Sequence, residues 1–543
     1  MNLTALLPRI MLSRIMLPRI IAAFAMSLCG LLLIACSQQS ERSQGGPAQN
    51  ASSNQQAADE SATASLLIRN VRLADGTGAA LQPGAIRIAD GKIIEIGPAL
   101  VPKTGETVRD GKGLVLAPGF IDSHSHHDEG LFEQPGADAL VSQGITTIVV
   151  GQDGGSAFPL TKLWNQLQAQ PVAVNVASYS GHNTLRSQIL GEQDYRRQSS
   201  KQEVARIRAL LDADMQAGSL GLSTGLGYEP GLYSSPEEVV ELAKTVAPYG
   251  GRYISHLRSE SITLWESIDE LVEIGRQAKI PVQLSHAKLA MVSLWGQAPK
   301  LLQKLDAARA EGIDATLDIY PYEYWQSTMT VALPERDFND VKAARFVLAN
   351  TIKPEGMLFG TYDADPSIVG KTLAEIAAER GRDPAELYLE LIRRAIAEDQ
   401  DESVIGTSMA AEDIVTLMQW PHANICSDGA IAGAHPRGAG AFTRVLGKYV
   451  RQDGVLALED ALHKMTGLSA KHLGFRNRGL LKPGLAADLV LLDPARVIDR
   501  ATTKDPTAVS SGIAAVWVNG ELVWDGKQTT GKRPGQPLKR GAG

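Results

Sequence analysis

The stretch Pro118-Gly119-Phe120-Ile121-Asp122-Ser123-His124-Ser125-His126-His127-Asp128 follows an apolar run, Leu114 to Leu116, and passes from two apolar residues into a polar cluster. It reads as a buried strand, Phe120 to His126, that runs out into an open end. Residues two apart on a strand point to the same face. His124 and His126 therefore project side by side, as two imidazoles on one metal ion must. Alone, an H-x-H pair is a weak motif, more often two surface or hydrogen-bonded histidines. Its weight depends on what the rest of the chain places around it.

Downstream the chain alternates strand and helix. Candidate strands are Phe120–His124, Thr146–Val150, Val172–Ala177, Leu220–Ser223, Arg252–His256, Val282–His286, Ala315–Ile319 and Asn424–Ser427, with amphipathic stretches between them, clearest at Lys201–Gln216, Pro236–Pro248 and Ser261–Lys279. Eight apolar strands alternating with helices are the arithmetic of an α/β protein built on a (β/α)8 TIM barrel. One connection is long. Between Ile319 and Asn424 an insertion is expected at about 328–420, with helices at Val369–Gly381 and Ala385–Glu398, as a candidate lid.

In such barrels functional residues sit at the C-terminal ends of the strands. Those ends carry His124 and His126 (strand one), Asp153 (just past strand two), His256 (strand five), His286 (strand six) and Asp428 (strand eight). Four of the ten histidines and two aspartates thus fall at one polar mouth, which predicts a metal site. His182, near the mouth of strand three, is a candidate for orienting a substrate or, equally, for a structural role. His127, His422, His463 and His472 are assigned to structure.

Both ends of the folded part read as short strands. Leu66–Val71, Ala85–Ile88 and Lys92–Gly97 are separated by Asp-Gly turns; near the C-terminus Ala487–Leu492 and Ala515–Trp524 follow, the latter with an Asn519-Gly520 hairpin turn. They predict a small β-sandwich made from both ends, 65–117 and 478–543, with the barrel, 118–477, inserted between them.

The 543 residues suit one large barrel and a smaller domain, and the 44% hydrophobic and 21% charged content is a globular balance. A net charge of −7 gives no electrostatic footprint for nucleic acid. Residues 1–35 differ: no acidic side chain, three arginines (Arg9, Arg14, Arg19) and an apolar run, Ile20 to Ala35, short for a membrane span. The run ends in Leu33-Ile34-Ala35-Cys36, which resembles the lipobox of bacterial lipoproteins. We expect a signal peptide over 1–35, lipidation of Cys36 and a lipid-anchored protein on the periplasmic face of a bacterial envelope. Residues 36–64, rich in Ser, Gln, Ala, Asn and Gly, are expected to be a disordered tether with a reach of about 30 Å. With Cys29 removed and Cys36 lipidated, Cys426 has no partner and no disulfide is expected.

The arrangement of H-x-H after strand one, His after strands five and six and Asp after strand eight resembles the amidohydrolase superfamily. Local phrases narrow the likeness to the N-acyl-D-amino-acid deacylases (D-aminoacylases). They are Gly221-Leu222-Ser223-Thr224-Gly225-Leu226 with Tyr228, Ser255-His256-Leu257-Arg258-Ser259-Glu260, Leu284-Ser285-His286-Ala287-Lys288, Asp318-Ile319-Tyr320-Pro321-Tyr322, Ser427-Asp428-Gly429 and His435-Pro436-Arg437. The resemblance implies that His256 and His286 hold the tighter metal, that His124 and His126 form a weaker second site, and that Asp428 is the proton shuttle. It also implies that Lys288, Tyr320 and Arg437 grip a substrate carboxylate and that Tyr228 lines the pocket. Where the family often has a cysteine ligand after strand two, this chain has Asp153. Ala439, Ala441 and Thr443 also depart from the bulkier residues expected there.

The implied activity is metal-dependent hydrolysis of the amide bond of an N-acyl-D-amino acid, releasing a carboxylate and a D-amino acid. The implied cofactor is Zn2+, as one or two divalent ions. The carboxylate of Asp153, harder than a thiolate and able to bridge, also admits manganese or cobalt. Two alternatives stand beside it. One is a cyclic-amide hydrolase of the dihydroorotase or hydantoinase type, against which the lack of a lysine on strand four argues. The other is a non-catalytic envelope lipoprotein with a dead barrel.

Overall fold

The computed structural model describes residues 65–541 apart from 192 and 334. The expected signal peptide, the Cys36 anchor and the tether lie outside the described residues.

Eight parallel strands form the barrel. They are Phe120–Asp122, Ile145–Val150, a third in two pieces (Asn175–Ser178 and Ser180–Gly181), Gly221–Gly225, Arg252–His256, Val282–Leu284, Ala315–Ile319 and Ala423–Ile425. The third strand pairs with the second through its first piece and with the fourth through its second. Strand eight pairs with strand seven. The ring closes beyond the last ladder residues, where Asp428 N donates to His124 O at 2.9 Å and His126 N to Gly429 O at 2.8 Å. Every residue of these strands is buried, polar ones such as Thr224, Ser255 and Asp318 included, in keeping with sequences that read as largely apolar.

Helices cover the barrel where the sequence placed them. Lys201–Gln216 opens with a capping box: Ser200 accepts from Glu203 N while the Glu203 side chain accepts from Ser200 N. Leu264–Ala278 turns Ile268, Leu271, Val272 and Gly275 inward, the three- and four-residue spacing of a buried stripe.

Both chain ends meet in one eight-stranded sheet. Val115–Pro118 lies between Leu66–Leu73 and Leu489–Leu492, with Leu116 opposite Leu491. The sheet folds round one core in which Ile68, Ile88, Leu116, Leu489 and Trp517 share a cluster. The hairpin Ile513–Val518 to Glu521–Trp524 turns through Asn519 (φ 48°) and Gly520 (φ 82°), the left-handed pair that a tight two-residue turn requires. Further on, residues 535–540 run back along the entry side of strands three and four. Gly535 N donates to Val172 O at 2.9 Å and Arg540 N to Gly218 O at 3.0 Å.

The long connection after strand seven is a unit of its own. Tyr324–Ser327, Met357–Tyr362 and Glu402–Thr407 form an antiparallel sheet, with Glu402–Thr407 in the middle, joined by helices Val341–Asn350, Leu373–Arg380 and Pro384–Glu398. It begins immediately after Tyr320-Pro321-Tyr322 and reaches the barrel mouth through Gln326 and Ser327. The following helix, Ala411–Gln419, leads into strand eight.

Three strands stop earlier than expected. Strand one ends at Asp122, strand six at Leu284 and strand eight at Ile425. His286 (φ 34°) and Asp428 (φ 50°) are left-handed, so the backbone has already left the ladder where these side chains emerge.

Candidate active site and metal centre

Six side chains converge at the C-terminal mouth of the barrel, and Asp153 is at their centre. Its Oδ1 lies 3.5 Å from His124 Nε2, and its Oδ2 lies 3.4 Å from His126 Nε2 and 3.1 Å from His286 Nε2. His256 Nδ1 is 3.1 Å from His286 Nε2. On the other side, Asp428 Oδ1 is 3.4 Å from both His124 Nε2 and His126 Nε2. Two donor groups result, each small enough to surround one ion: His124, His126, Asp153 and Asp428, and Asp153, His256 and His286. Asp153 belongs to both.

The backbone explains how Asp153 gets there. It is left-handed (φ 50°) between Gly151 (φ 74°) and Gly154 (φ 79°). A Cβ on Gly151 would sit 2.2 Å from Tyr179 O, and one on Gly154 2.3 Å from Asn183 Oδ1, so only glycine fits either position. Asp153, His286 and Asp428 are all non-glycine residues in a conformation that costs about 1–2 kcal/mol each. Such strain gathers at functional sites.

The donor set fits a divalent cation. Both ring nitrogens of His124 and Oδ1 of Asp153 are buried with no hydrogen-bond partner among the described residues, a costly state for a polar atom without a ligand. Burial opposes a charged imidazole, yet Asp153 and Asp428 lift His126 to about 10, and Asp153 with Asp318 raises His124 as well. This pocket calls for positive charge. His256 goes the other way: burial lowers it to about 4, leaving a neutral ring with a lone pair to give.

Two carboxylates that the sequence reading quoted but did not assign stand behind the histidines. Asp318, at the inner face of strand seven, has Oδ2 3.5 Å from His124 Nδ1 and accepts from His286 N at 2.5 Å. Glu260 has Oε1 3.2 Å from His286 Nδ1 and Oε2 3.8 Å from His256 Nε2. Their signal was position: Asp318 is the one acid within strand seven, and Glu260 comes four residues after His256.

The other expected residues divide. Lys288 Nζ is 2.6 Å from His286 Nδ1 and 2.8 Å from Glu260 Oε1. Tyr320 lies between the two cations: the Arg437 guanidinium is 4.9 Å from its ring centre and Lys288 Nζ 6.0 Å. The Tyr320 hydroxyl is buried with no hydrogen-bond partner among the described residues. Tyr228 packs on His256 with centroids 4.3 Å apart and the rings tilted by 40°, and its hydroxyl is 3.1 Å from Ser327 Oγ of the insertion. Arg437 Nη1 is 2.5 Å from Asp428 Oδ2. Burial alone would raise the Asp428 carboxyl, but the Arg437 guanidinium and His286 hold it well below the usual carboxylate range.

His182 is not brought to this cluster, and the expectation that it orients substrate is corrected. It is fully buried, with Nε2 2.9 Å from Glu238 Oε1, and Glu238 is paired in turn with Arg186. It starts the helix His182–Leu190, so its ring is spent holding that helix to Pro236–Val246.

Comparison with known proteins places this geometry. The amidohydrolase family model matches residues 362–524. The chain is 36% identical to N-acyl-D-aspartate deacylase of Alcaligenes xylosoxydans xylosoxydans over 89% of its own length and 96% of that protein. It is 34% identical to D-aminoacylase of the same organism over 88% and 98%. Among solved structures, N-acyl-D-glutamate deacylase from Bordetella bronchiseptica, complexed with zinc and a phosphonate mimic of the tetrahedral intermediate, superposes with a TM-score of 0.79. Its identity is 32%, over 87% of this chain and 99% of that one.

Proposed function

The chain belongs to the N-acyl-D-amino-acid deacylase (D-aminoacylase) family of the amidohydrolase superfamily, and we propose that the mouth of its barrel hydrolyses the amide bond of N-acyl-D-amino acids with the help of a bound divalent metal. The observation that carries this is the pairing of two donor groups joined at Asp153 with a clamp of Lys288, Tyr320 and Arg437 beside them.

His256, His286 and Asp153 would hold one ion; His124 and His126, with the same Asp153, would hold a second. Zinc is the first choice, and the carboxylate at position 153 also suits manganese or cobalt. A bound divalent cation makes water ionisable near neutral pH and polarises the scissile carbonyl. The chain's own residues do the rest. Asp428 Oδ1 faces the reacting side, takes the proton of the attacking water and returns it to the leaving amine nitrogen. The C–N bond then breaks to a carboxylic acid and a free D-amino acid. Help of this kind is typically worth about 10²–10⁴-fold. Arg437 offers a planar fork and Lys288 a point charge to the α-carboxylate, and the Tyr320 hydroxyl supplies a third donor. Tyr228 closes the wall over His256 and ties it to the insertion.

Strand four carries no lysine, so the cyclic-amide alternative gains nothing from this barrel. All six first-choice positions bear groups able to ligate a metal or move a proton, which argues against a dead barrel. The lipid anchor on Cys36 stays part of the proposal on the strength of the N-terminal sequence. The test is a panel of N-acetyl-D- and N-acetyl-L-amino acids and their α-amides, with metal analysis, on residues 37–543. D-selective release of amine from the acids supports the reading. Hydrolysis of L-forms or amides at equal rate overturns it.

A further inference from the structure

Glu260 stands where one carboxylate can serve two imidazoles. Its Oε1 is 3.2 Å from His286 Nδ1, and its Oε2 faces His256 Nε2 at 3.8 Å, beyond hydrogen-bond reach, where it acts on that ring through its charge. The opposite nitrogens of the same rings, His286 Nε2 and His256 Nδ1, are 3.1 Å apart and border Asp153. A neutral imidazole carries one proton, and the nitrogen without it gives the lone pair. A carboxylate accepts and cannot donate, so it favours the tautomer whose proton faces it. We propose that Glu260 is a positioning residue that sets both tautomers together, turning the lone pairs of His256 Nδ1 and His286 Nε2 toward the same point. This rests on the metal-dependent reading above.

Lys288 makes the arrangement consequential. Its Nζ, 2.6 Å from His286 Nδ1, can only donate there, and that bond requires the proton of His286 to sit on Nε2, the wrong nitrogen for a ligand. Glu260 Oε1 is also 2.8 Å from Lys288 Nζ and pulls the ammonium to itself. The carboxylate thus competes with His286 for the lysine and with the lysine for His286. Its two oxygens hold the clamp lysine and the two histidines in one network. Glu260 lies in the middle of the loop, 257–263, that leaves strand five, and its chain is fixed by Ala290 N donating to its carbonyl at 2.9 Å, which ties this loop to the one after strand six. The two loops that follow strands five and six, behind His256 and His286, are therefore joined at the same residue in backbone and side chain.

Groups behind metal-bound histidines typically change metal affinity by about 10–100-fold when lost. The test is competition for zinc between the protein and a chromophoric chelator, run on wild type, Glu260→Gln and Lys288→Met, with circular dichroism as the folding control. The amide of Glu260→Gln presents a donor to at least one ring, so its affinity for the tighter zinc should fall about 10–100-fold, whereas Lys288→Met should hold zinc at least as tightly as wild type. Zinc retained by Glu260→Gln within twofold of wild type overturns the assignment and leaves Glu260 as a partner of Lys288 alone. Should Glu260→Gln fail to fold, Glu260→Asp carries the comparison: its shorter arm cannot reach both rings, and unchanged zinc affinity would again overturn the assignment. Failure of the wider reading is a separate result, a wild-type protein that takes up no zinc.

Discussion

Arg437 and Asp428 form a buried ion pair in which Nη1 of the guanidinium lies 2.5 Å from Oδ2 of the carboxylate. The two residues have different tasks in the proposed reaction, one gripping substrate and one moving a proton. A substrate α-carboxylate therefore competes with Asp428 for the same guanidinium. Its arrival releases one oxygen of Asp428 at the moment the amide bond is in place. Arg437→Met should then lose on two counts. Charged hydrogen bonds are worth about 1.5–3 kcal/mol, so kcat/KM for the acid substrate should fall about tenfold to about 150-fold. The preference for acid over α-amide should shrink by a similar factor. An undiminished preference would remove Arg437 from the clamp.

Asp428→Asn keeps shape and can still pair with its neighbours, but its amide cannot take a proton. We expect a loss of about 10²–10⁴ in kcat with KM little changed and the fold intact by circular dichroism. Turnover near the wild-type rate at neutral pH would exclude Asp428 as the shuttle.

Asp153 touches both donor groups, so its loss should be felt by both. Asp153→Asn is expected to lower metal content at both positions, measured by elemental analysis after dialysis against chelator. Asp153→Cys is expected to recover a single zinc and to disfavour manganese, because a thiolate is the softer ligand. Metal binding by Asp153→Asn equal to wild type would reduce Asp153 to a turn residue.

Glu402 gives a pH test outside the metal cluster. Burial, with Asp401 nearby, lifts its carboxyl to about 7, although both of its oxygens accept from Met329 N. A carboxyl raised above its ordinary 4.5 binds its proton more tightly folded than unfolded. Its contribution to stability is therefore complete below about pH 4.5 and is lost as pH rises toward 7 and beyond. The difference corresponds to at most about 3 kcal/mol. Between pH 5 and pH 8, wild type should lose more melting temperature than Glu402→Gln, whose amide oxygen still accepts from Met329 N. Parallel losses in the two proteins would show that Glu402 does not titrate in this range.

Cys36→Ala tests the envelope anchor. The variant should move from the membrane fraction to the soluble fraction when cells are fractionated. Unchanged membrane association would refute lipidation at this residue.

The fold was legible because barrel strands and their covering helices leave strong periodic marks. Lys201–Gln216 and Lys92–Gly97 were read to the residue, and every barrel strand was found. The C-terminal limits of strands two, five and seven agree with the sequence reading, but strands one, six and eight end early, and at His286 and Asp428 that exit depends on left-handed backbone that no apolar pattern encodes. The H-x-H reading rested on strand alternation, whereas His124 and His126 lie past the paired strand and come together there, with both Nε2 atoms 3.4 Å from Asp428 Oδ1. Glu260 and Asp318 were passed over since a single acid beside a histidine has many uses until distances fix one. His182 misled for the opposite reason. Its place near the mouth of strand three suggested function, while its partner Glu238 lies on a different helix, which only the packing of the two helices reveals.

The pairing of Val115–Pro118 with Leu489–Leu492 has a consequence for how the molecule is made. The strand that launches the barrel waits, with one edge open, until the chain has been carried through all eight barrel strands and the insertion. Closing so long a loop is entropically slow, though the cost grows only as the logarithm of its length. A ribosome or a translocation pore delivering this chain from its N-terminus thus releases an unfinished sheet, and a stall anywhere before Leu489 leaves an exposed strand edge open to other chains.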